Sequence, residues 1–410
     1  MDWADTEDEA ALRADIRAFI HERFPAGYVP DPDAENSLEP EDVLGYEWTS
    51  DRVAPDPARR AAAAAWAAAL AERGWISPRL PAEYGGAGFT ARQELILQEE
   101  LMRAEVPTVN SIGALLLAPT MLEHGTSEQC SRYLPGIADG TVTWAQGFSE
   151  PDSGSDLASL RTSATRQGDE YVVNGQKVWT SLAQYADRLF VLVRTDPDAY
   201  RHRGLTMLLI DTRAPGVTIR PITDIRGSQP FNEMYFDDVR VPVADRLGAE
   251  NGGWAVAMTA LGYERAGIGA TIKYQTVLSR LVGYLKERSA DPGSRGTSGA
   301  LRREIADRYV ETRVLHNLAR YTVDQQSAGR TPGYEASASL LFGAELNQRL
   351  ARTGMSAFGQ SAGLWQREGA PLDALFAHLR LDSISATFIG GASDIQRQII
   401  AYRWLGLPRS

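Results

Sequence analysis

The segment SEPDSGSD, residues 149–156, combines hydroxyl and carboxylate side chains with a Pro and a Gly in one short stretch. A turn of this composition exposes several hydroxyls and backbone N–H groups together, and such groups can hold a phosphate or the polar edge of a ring. Ser, Asp, Gly and Pro are also the usual residues of a surface turn. The residues alone therefore leave two interpretations open, a ligand-binding loop and an ordinary polar loop.

A second segment, NGQKVWTS, residues 174–181, places an indole beside hydroxyl side chains. The pair Asn174-Gly175 predicts a hairpin turn that leads into a strand. On a strand, Trp179 and Ser181 point to the same face, where an indole and a hydroxyl can flank a flat heteroaromatic ring and hydrogen-bond to its edge. A buried core Trp is the commoner use of such a residue, so this segment is also ambiguous by itself.

Other chemistries lack the residues that they need. The chain has no Gly-x-Ser-x-Gly motif for a hydrolase nucleophile. The stretch GIGAT, residues 267–271, lacks the third glycine of a dinucleotide-binding loop. We expect no metal site, because the histidines are far apart and no pair has the spacing of helical ligands. They are His21, His124, His202, His316 and His378.

Composition and charge exclude several classes of protein. The formal net charge of −11 disfavours a nucleic acid or an anionic membrane as the main partner. Cys130 is the single cysteine, which excludes an internal disulfide framework. No apolar run approaches the roughly 20 residues of a membrane helix, and the N-terminus lacks the basic and apolar regions of a secretory signal. We therefore expect a cytoplasmic protein without a membrane span.

The first third of the chain has a helical pattern. Apolar residues recur at helical spacing over residues 6–137, and the strongest run is the alanine-rich stretch 59–73. Asp56 and Pro57 ahead of that run predict a helix start, and Gly74 predicts its end. Residues 27–56, rich in Pro, Asp and Glu, are predicted to form an exposed loop.

The pattern changes to short β-prone runs and then returns to helices. The β-prone runs are separated by turn residues and cover residues 171–173, 188–193, 205–210 and 217–219. A chain of 410 residues also exceeds the roughly 250–300 that one hydrophobic core usually serves. The sequence therefore predicts a mostly helical α+β protein with an N-terminal helical domain (1–140), a central antiparallel β domain (141–247) and a C-terminal helical domain (248–410).

Together, the order and spacing of SEPDSGSD and NGQKVWTS resemble the flavin-binding sheet domain of acyl-CoA dehydrogenases. Three further segments extend the resemblance over most of the chain: GWISPRLPAEYGGAGFT (74–90), FNEMYFDDVRVP (231–242) and GGASDIQRQIIAYRWLGLPRS (390–410). The resemblance implies a helical, β, helical plan that ends in a four-helix bundle. It also implies FAD as the cofactor and an acyl-CoA thioester as the substrate.

The resemblance carries over to individual residues of the two segments and of the strand before them. It implies flavin contacts from Gln146, Phe148, Ser149, Gly154 and Ser155 on one side and from Trp179, Thr180 and Ser181 on the other. Gln146 stands where many relatives have an aromatic residue. The resemblance also places Ser155, Arg265 and Gly391 at the substrate.

A base for the α proton of the thioester is the remaining requirement, and a Glu whose pKa is raised by burial suits this task. Many family members carry it in the C-terminal motif immediately before a Gly, but this chain has Gly390 there. The isovaleryl-CoA branch and many bacterial relatives carry it on the helix after the sheet domain, immediately before an Arg. Glu264 followed by Arg265 fits that position, although a Glu-Arg pair on a helix is usually a surface ion pair. The resemblance therefore implies that Glu264 is the base.

The implied activity is α,β-dehydrogenation of an acyl-CoA to the trans-2-enoyl-CoA, with an electron-transfer flavoprotein as the electron acceptor. An acyl-CoA oxidase, a flavin monooxygenase of the same fold and a non-catalytic subunit of a mixed tetramer are the alternatives. Three features depart from the family pattern. The Arg-x-x-Phe-Gly signature is missing between residues 281 and 320, and FGQSAG (358–363) resembles the family's second cross-subunit contact only loosely. Ala392 stands where a hydroxyl residue is usual. We therefore expect either a homotetramer or a mixed tetramer with a related chain.

Overall fold

The computed structural model of the chain describes residues 5–30, 46–264, 269–290, 297–327, 334–365 and 369–408. The described residues up to Glu264 form one compact unit, and those from Gly269 onward form a second. The succession of helices, sheet and helices that the sequence predicts is confirmed.

Helices form the first part of the first unit. Threonines cap three of them in the same way. The hydroxyl oxygens of Thr6, Thr90 and Thr126 each accept the backbone N–H of the residue three positions later, and the side chain of that residue accepts the backbone N–H of the threonine. The helices are α1 (Glu7–Arg23), α2 (Trp48–Asp51), α3 (Pro57–Glu72), α4 (Ala91–Arg103), α5 (Ala118–His124) and α6 (Ser127–Ala138). A π-helical segment, Ile112–Leu117, leads into α5.

The predicted ends of the alanine-rich helix are confirmed. The Asp56 carboxylate accepts the backbone N–H of Ala58 at 3.0 Å and caps the start of α3. Gly74 follows the helix with φ +66, and a Cβ there would lie 2.6 Å from the backbone carbon of Gly86. Only glycine therefore fits at this position without moving the backbone.

Aromatic side chains fill the core between these helices. Trp66 of α3 is fully buried, and its Nε1 donates to the Pro107 carbonyl at 2.9 Å. The prediction of an exposed loop over residues 27–56 is wrong at both of its described ends, because Tyr28 and Trp48 are buried. The Tyr28 hydroxyl donates to Asp51 at 2.7 Å, so this polar stretch is anchored by a few large residues within it.

The central sheet has eight strands. They are β1 (Trp144–Gly147), β2 (Ser163–Gln167), β3 (Glu170–Ser181), β4 (Arg188–Arg194), β5 (Leu205–Asp211), β6 (Val217–Ile222), β7 (Phe231–Pro242) and β8 (Arg246–Leu247). The order is β6-β7-β3-β2-β4-β5-β8, and β1 pairs with β4. Most pairs are antiparallel, as predicted, whereas β1 and β2 both run parallel to β4.

The predicted hairpin turn at Asn174-Gly175 is wrong. Both residues lie inside β3, at a shift of its register with β7 between Val173 and Gly175. A Cβ on Gly175, whose φ is +146, would lie 2.7 Å from Thr162 Oγ1, so this glycine permits a close approach of the chain that enters β2. The hairpin turn comes earlier, between β2 and β3, where Gly168 has φ +66.

Helix α7 (Gly253–Glu264) ends the first unit and packs on β4 and β5. A Cβ on Gly253 would lie 2.6 Å from the backbone of Thr206, so glycine allows the helix to start directly against β5. At the other side of the helix, Thr259 Oγ1 lies 2.8 Å from His124 Nε2 of α5. These contacts fix the direction in which α7 leads to Glu264.

The second unit is helical. Its helices are α8 (Gly269–Ala290), α9 (Gly299–Ser327), α10 (Tyr334–Phe358), α11 (Leu375–Ser385) and α12 (Ser393–Arg403). Helix α10 contacts each of the others, and its Leu346 and Leu350 are fully buried. Among the described residues, no helix has both the length and the apolar composition needed to cross a membrane.

Gly354 is predicted to be essential to the packing of α10. A Cβ there would lie 1.9 Å from Phe376 Cδ1 of α11, so Gly354→Ala should lower the thermal unfolding midpoint through overpacking that costs about 1–3 kcal/mol. Gly283→Ala in α8 is the matched control, because no atom lies within 4 Å of its Cβ position. The control should be neutral or slightly stabilising. Equal midpoints for the two variants, followed by circular dichroism, would contradict this packing.

Candidate active site

The SEPDSGSD loop is closed on itself by backbone hydrogen bonds. Glu150 N donates to Ser153 O at 2.9 Å, and Ser153 N donates to Glu150 O at 3.0 Å. The Ser153 hydroxyl lies inside the loop and donates to the Asp156 carbonyl at 2.8 Å. Gly154 and Ser155 stay exposed at the tip. The loop is therefore a preformed turn that leaves these two residues accessible to a ligand.

Arg194 of β4 holds the segment that follows the loop. Its Nη2 donates to the Ala158 carbonyl at 2.8 Å, and its Nε donates to the Leu160 carbonyl at 3.0 Å. Asp156 also forms an ion pair with Arg201. The loop is thus bound to the sheet on its C-terminal side as well as closed internally.

Trp179 lies near the end of β3 in an unusual conformation. Its φ is +63, the register with β7 shifts between Lys177 and Thr180, and its side chain is 59% exposed. The alternation predicted for Trp179 and Ser181 therefore does not describe this strand end, because the bulge interrupts it. The indole packs edge-to-face on Phe231 with 6.1 Å between ring centroids, and its remaining surface is open.

Two bonds bring the ends of β1 and β3 together. Val178 N donates to the Ser149 carbonyl at 3.0 Å, and Lys177 Nζ donates to the Phe148 carbonyl at 2.9 Å. Phe148 packs edge-to-face on Phe190 of β4 at 5.7 Å. The structure thus brings together the two segments in which flavin contacts were predicted.

Among the residues predicted to contact the flavin, two buried polar atoms have no hydrogen-bond partner within the described part of the chain. They are Gln146 Nε2 and Thr180 Oγ1, and Thr180 is only 1% exposed. Buried polar atoms in proteins are normally satisfied, so such atoms call for an additional partner. An amide donor and a hydroxyl, which can donate or accept, fit the edge of a heteroaromatic ring such as the flavin.

A buried ion pair joins segments 149–156 and 174–181, and nothing in the sequence predicted it. Lys177 is 0% exposed, and its Nζ lies 2.8 Å from Glu150 Oε1. Burial lowers the pKa of Lys177 to about 8, against the opposing effect of Glu150. Burial acts to raise the pKa of Glu150, but the Lys177 ammonium and hydrogen bonds from Arg161 and Thr162 outweigh it, so that pKa is lowered. The only signal in the sequence is a Lys within a β-prone run.

Glu264 is the last residue of α7, and its role as the base stays a prediction. Its neighbour Tyr263 lies under Arg79, whose guanidinium carbon is 5.7 Å from the centre of the Tyr263 ring. Arg79 Nη1 lies 3.9 Å from Glu94 Oε2 of α4. A cationic group and a carboxyl group that the sequence did not single out therefore lie near the end of α7.

Besides Ser155, Arg265 and Gly391 were predicted to contact the substrate. Arg265 lies outside the described residues. Gly391 belongs to the second unit, where its φ of +118 is a backbone conformation that residues with a side chain rarely adopt. Their contacts with a substrate stay predictions. Within the described ranges, no group of three His, Cys, Asp or Glu side chains is arranged to hold a metal ion.

Glu94 generates a prediction of pH dependence. Burial raises its pKa from 4.5 to about 7, with Arg79 opposing, and its side chain is 18% exposed. Between these two values the folded protein binds more protons than the unfolded chain, so this group destabilises the fold as pH rises from 4.5 to 7. The difference in free energy of unfolding between Glu94→Gln and the unmodified protein should therefore depend on pH. Raising the pH from 5 to 8 should shift it in favour of the variant, on the order of 1–3 kcal/mol.

Thermal unfolding of both proteins at the two pH values measures this difference. Glu22→Gln, at an exposed position on α1, is the control, and it should not reproduce the gain in stability of Glu94→Gln at pH 8. A pH-independent difference for Glu94→Gln would contradict the burial of this carboxyl group.

Three family models of acyl-CoA dehydrogenases match the chain in sequence order. The N-terminal domain matches residues 46–141, the middle domain matches residues 145–239 and the C-terminal domain matches residues 251–405. Acyl-CoA dehydrogenase IpdE1 of Mycobacterium tuberculosis is 39% identical over 352 residues, which cover 84% of this chain and 88% of that relative. The mitochondrial isovaleryl-CoA dehydrogenase of Pongo abelii is 28% identical over 81% of this chain and 78% of its own length.

Solved structures agree with these matches. The structure described as Tcur3481-Tcur3483 steroid ACAD superimposes with a TM-score of 0.85 at 29% identity, over 100% of both chains. A chain of the ChsE4-ChsE5 complex from Mycobacterium tuberculosis gives a TM-score of 0.81 at 32% identity, again over 100% of both chains. The resemblance seen in the sequence is confirmed: this chain belongs to the acyl-CoA dehydrogenase family of flavin-dependent oxidoreductases.

Proposed function

We propose that this chain is an FAD-dependent dehydrogenase that oxidises a ring-bearing acyl-CoA thioester between its α and β carbons to the trans-2-enoyl-CoA. In this proposal Glu264 removes the α proton. The predicted flavin contacts are Gln146, Phe148, Ser149, Gly154, Ser155, Trp179, Thr180 and Ser181, and the predicted substrate contacts are Ser155, Arg265 and Gly391.

The single observation that carries the proposal is the pair of unsatisfied atoms, Gln146 Nε2 on β1 and Thr180 Oγ1 on β3, two strands whose ends are held together by hydrogen bonds. In the proposal they offer a donor and a hydroxyl to the edge of the flavin, and the exposed indole of Trp179, the neighbour of Thr180 in the chain, offers a flat apolar surface. FAD, when bound, supplies the hydride acceptor for the β hydrogen. The protein's part is then to orient the ring and exclude water from it.

The assignment of the base rests on what the two family positions contain. Gly390 has no side chain to take a proton, whereas Glu264 ends a helix that is fixed on β5 and α5. A carboxylate accepts a proton from a thioester α carbon more readily when it is desolvated, because desolvation raises its pKa. Burial raises the pKa of one carboxyl group near the end of α7, that of Glu94.

Support for a ring-bearing acyl group comes from the relatives. Among structures similar to the chain, one is described as a steroid acyl-CoA dehydrogenase, at 29% identity over 100% of both chains.

The proposed partners are an electron-transfer flavoprotein as electron acceptor and a related chain in a mixed tetramer. The two similar structures named above are each described with a pair of proteins. This chain also lacks the Arg-x-x-Phe-Gly signature between residues 281 and 320 with which many relatives reach the flavin nucleotide of a neighbouring subunit. A partner chain that carries this Arg would complete the FAD site.

Replacing the proposed base tests the mechanism. Glu264→Gln keeps the size of the side chain but removes the proton acceptor, so dehydrogenation should fall by about 10²–10⁴-fold while bound FAD is retained. Glu304→Gln, at an exposed position on α9, is the control and should keep full activity. The measurement is the rate of flavin reduction after rapid anaerobic mixing with acyl-CoA. Undiminished reduction in Glu264→Gln would refute the assignment.

The mixed assembly predicts a flavin deficit in the chain purified alone. FAD content should then be substoichiometric, because one contact to the nucleotide is missing, and co-expression with a related acyl-CoA dehydrogenase chain of the same organism should raise it. Visible absorbance and light scattering measure flavin content and subunit number. A homotetramer that holds stoichiometric FAD would exclude the mixed assembly and leave the dehydrogenase proposal intact.

A further inference from the structure

The ion pair between Lys177 and Glu150 joins the two segments predicted to contact the flavin. Lys177 extends from β3 and donates to the Phe148 carbonyl at 2.9 Å and to Glu150 Oε1 at 2.8 Å. Both acceptors lie in the stretch that runs from β1 into the SEPDSGSD loop. One ammonium group therefore sets the distance between that stretch and the end of β3.

Glu150 extends this connection to a third part of the chain. Its Oε2 accepts the backbone N–H of Arg161 at 2.7 Å, and its Oε1 accepts the backbone N–H of Thr162 at 2.9 Å as well as the Lys177 ammonium. Residues 161 and 162 lead into β2, next to the bulge at Gly175. The carboxylate thus closes the loop at its base.

A buried ion pair is a poor way to gain stability, because removing two charges from water costs about as much as their attraction returns. Apolar side chains of similar volume often stabilise a core equally well. They would not, however, hold the Phe148 carbonyl or orient the first residues of the loop. The benefit of a charged pair at this place is its directional bonds.

Resting on the proposed function, we propose that Lys177 is a positioning residue which, together with Glu150, holds Phe148 and Ser149 in register with residues 178–181 and so sets the affinity and reduction potential of the FAD. Trp179 depends on this anchor in particular. It follows Lys177 by two residues and lies within the register shift, where β7 does not fix the strand. Displacing Lys177 therefore displaces the indole, while Thr180 stays paired with Asn232 of β7.

Lys177→Met tests the proposal, since it keeps the unbranched apolar stem of the side chain but removes the ammonium. FAD affinity of the apoprotein should fall about tenfold or more, as expected for losing charge-assisted hydrogen bonds. The midpoint potential and the visible spectrum of the remaining bound flavin should also shift. All measurements are made below the unfolding temperature of each variant, with the assembly in which the unmodified protein holds FAD.

Asp51→Asn is the matched control for a merely structural effect. Asp51 is buried in the same unit and accepts from Arg59 at 2.6 Å and from Tyr28 at 2.7 Å, away from both flavin segments. This variant should lower the unfolding midpoint but leave FAD affinity and potential unchanged. An equal loss of affinity in Asp51→Asn would overturn the proposal, because the effect would then follow stability alone.

The double variant Lys177→Met/Glu150→Gln separates charge from position. It removes both charges, so it should recover part of the unfolding midpoint lost in Lys177→Met without recovering FAD affinity. Recovery of both would overturn the proposal. If Lys177→Met does not fold, Glu150→Gln alone, which keeps the shape of the side chain, is expected to show the same losses of affinity and potential.

Unaltered FAD affinity and potential in a folded Lys177→Met would overturn the positioning role while leaving the proposed function intact. Failure of the unmodified protein to bind FAD in any assembly would instead refute the proposed function and this inference with it.

Discussion

The ammonium of Lys177 has no access to water, so hydrogen bonds must replace its lost hydration. The Phe148 carbonyl and the Glu150 carboxylate provide them, and Glu150 in turn binds the backbone at residues 161 and 162. This requirement fixes β1, the SEPDSGSD loop, the entry to β2 and β3 relative to one another. Arg194, which is half-buried, holds the segment after the loop in the same way, through carbonyl groups. The shape of the candidate site therefore follows from cations that bind backbone carbonyls.

The sequence correctly predicted both ends of the alanine-rich helix. Asp56 caps its start and Gly74 follows its end, and both capping and positive φ depend on only a few neighbouring residues. Asn174-Gly175 misled because the turn signal is overridden by the pairing of β3 with β7, which lies far away in sequence. The prediction for residues 27–56 failed for a similar reason, because a mostly polar composition gives no sign that Trp48 is buried by residues distant in sequence.

The candidate site could likewise be predicted only in part from the sequence. The sequence identified two polar segments and, through their resemblance to a family, the order of the predicted flavin contacts. It could not show that Lys177 is buried and joins them, since a Lys in a β-prone run is usually solvated and its partner Glu150 is distant in sequence. Nor could it predict that Gln146 Nε2 and Thr180 Oγ1 lack partners, because satisfaction of a polar atom depends on the packed structure.

Chemistry in this family belongs to the site more than to the fold, and the position of the proposed base illustrates this. Gly390 takes the place of a carboxylate in one motif while Glu264 supplies one on a helix of the other unit. The most direct test of the dehydrogenase assignment is anaerobic mixing of the FAD-loaded protein with straight-chain, branched and ring-bearing acyl-CoA thioesters, with the flavin absorbance followed in time. Rapid bleaching is expected with a ring-bearing thioester, together with a product that has lost one α and one β hydrogen. Flavin that stays oxidised with every thioester in the series would contradict the dehydrogenase assignment.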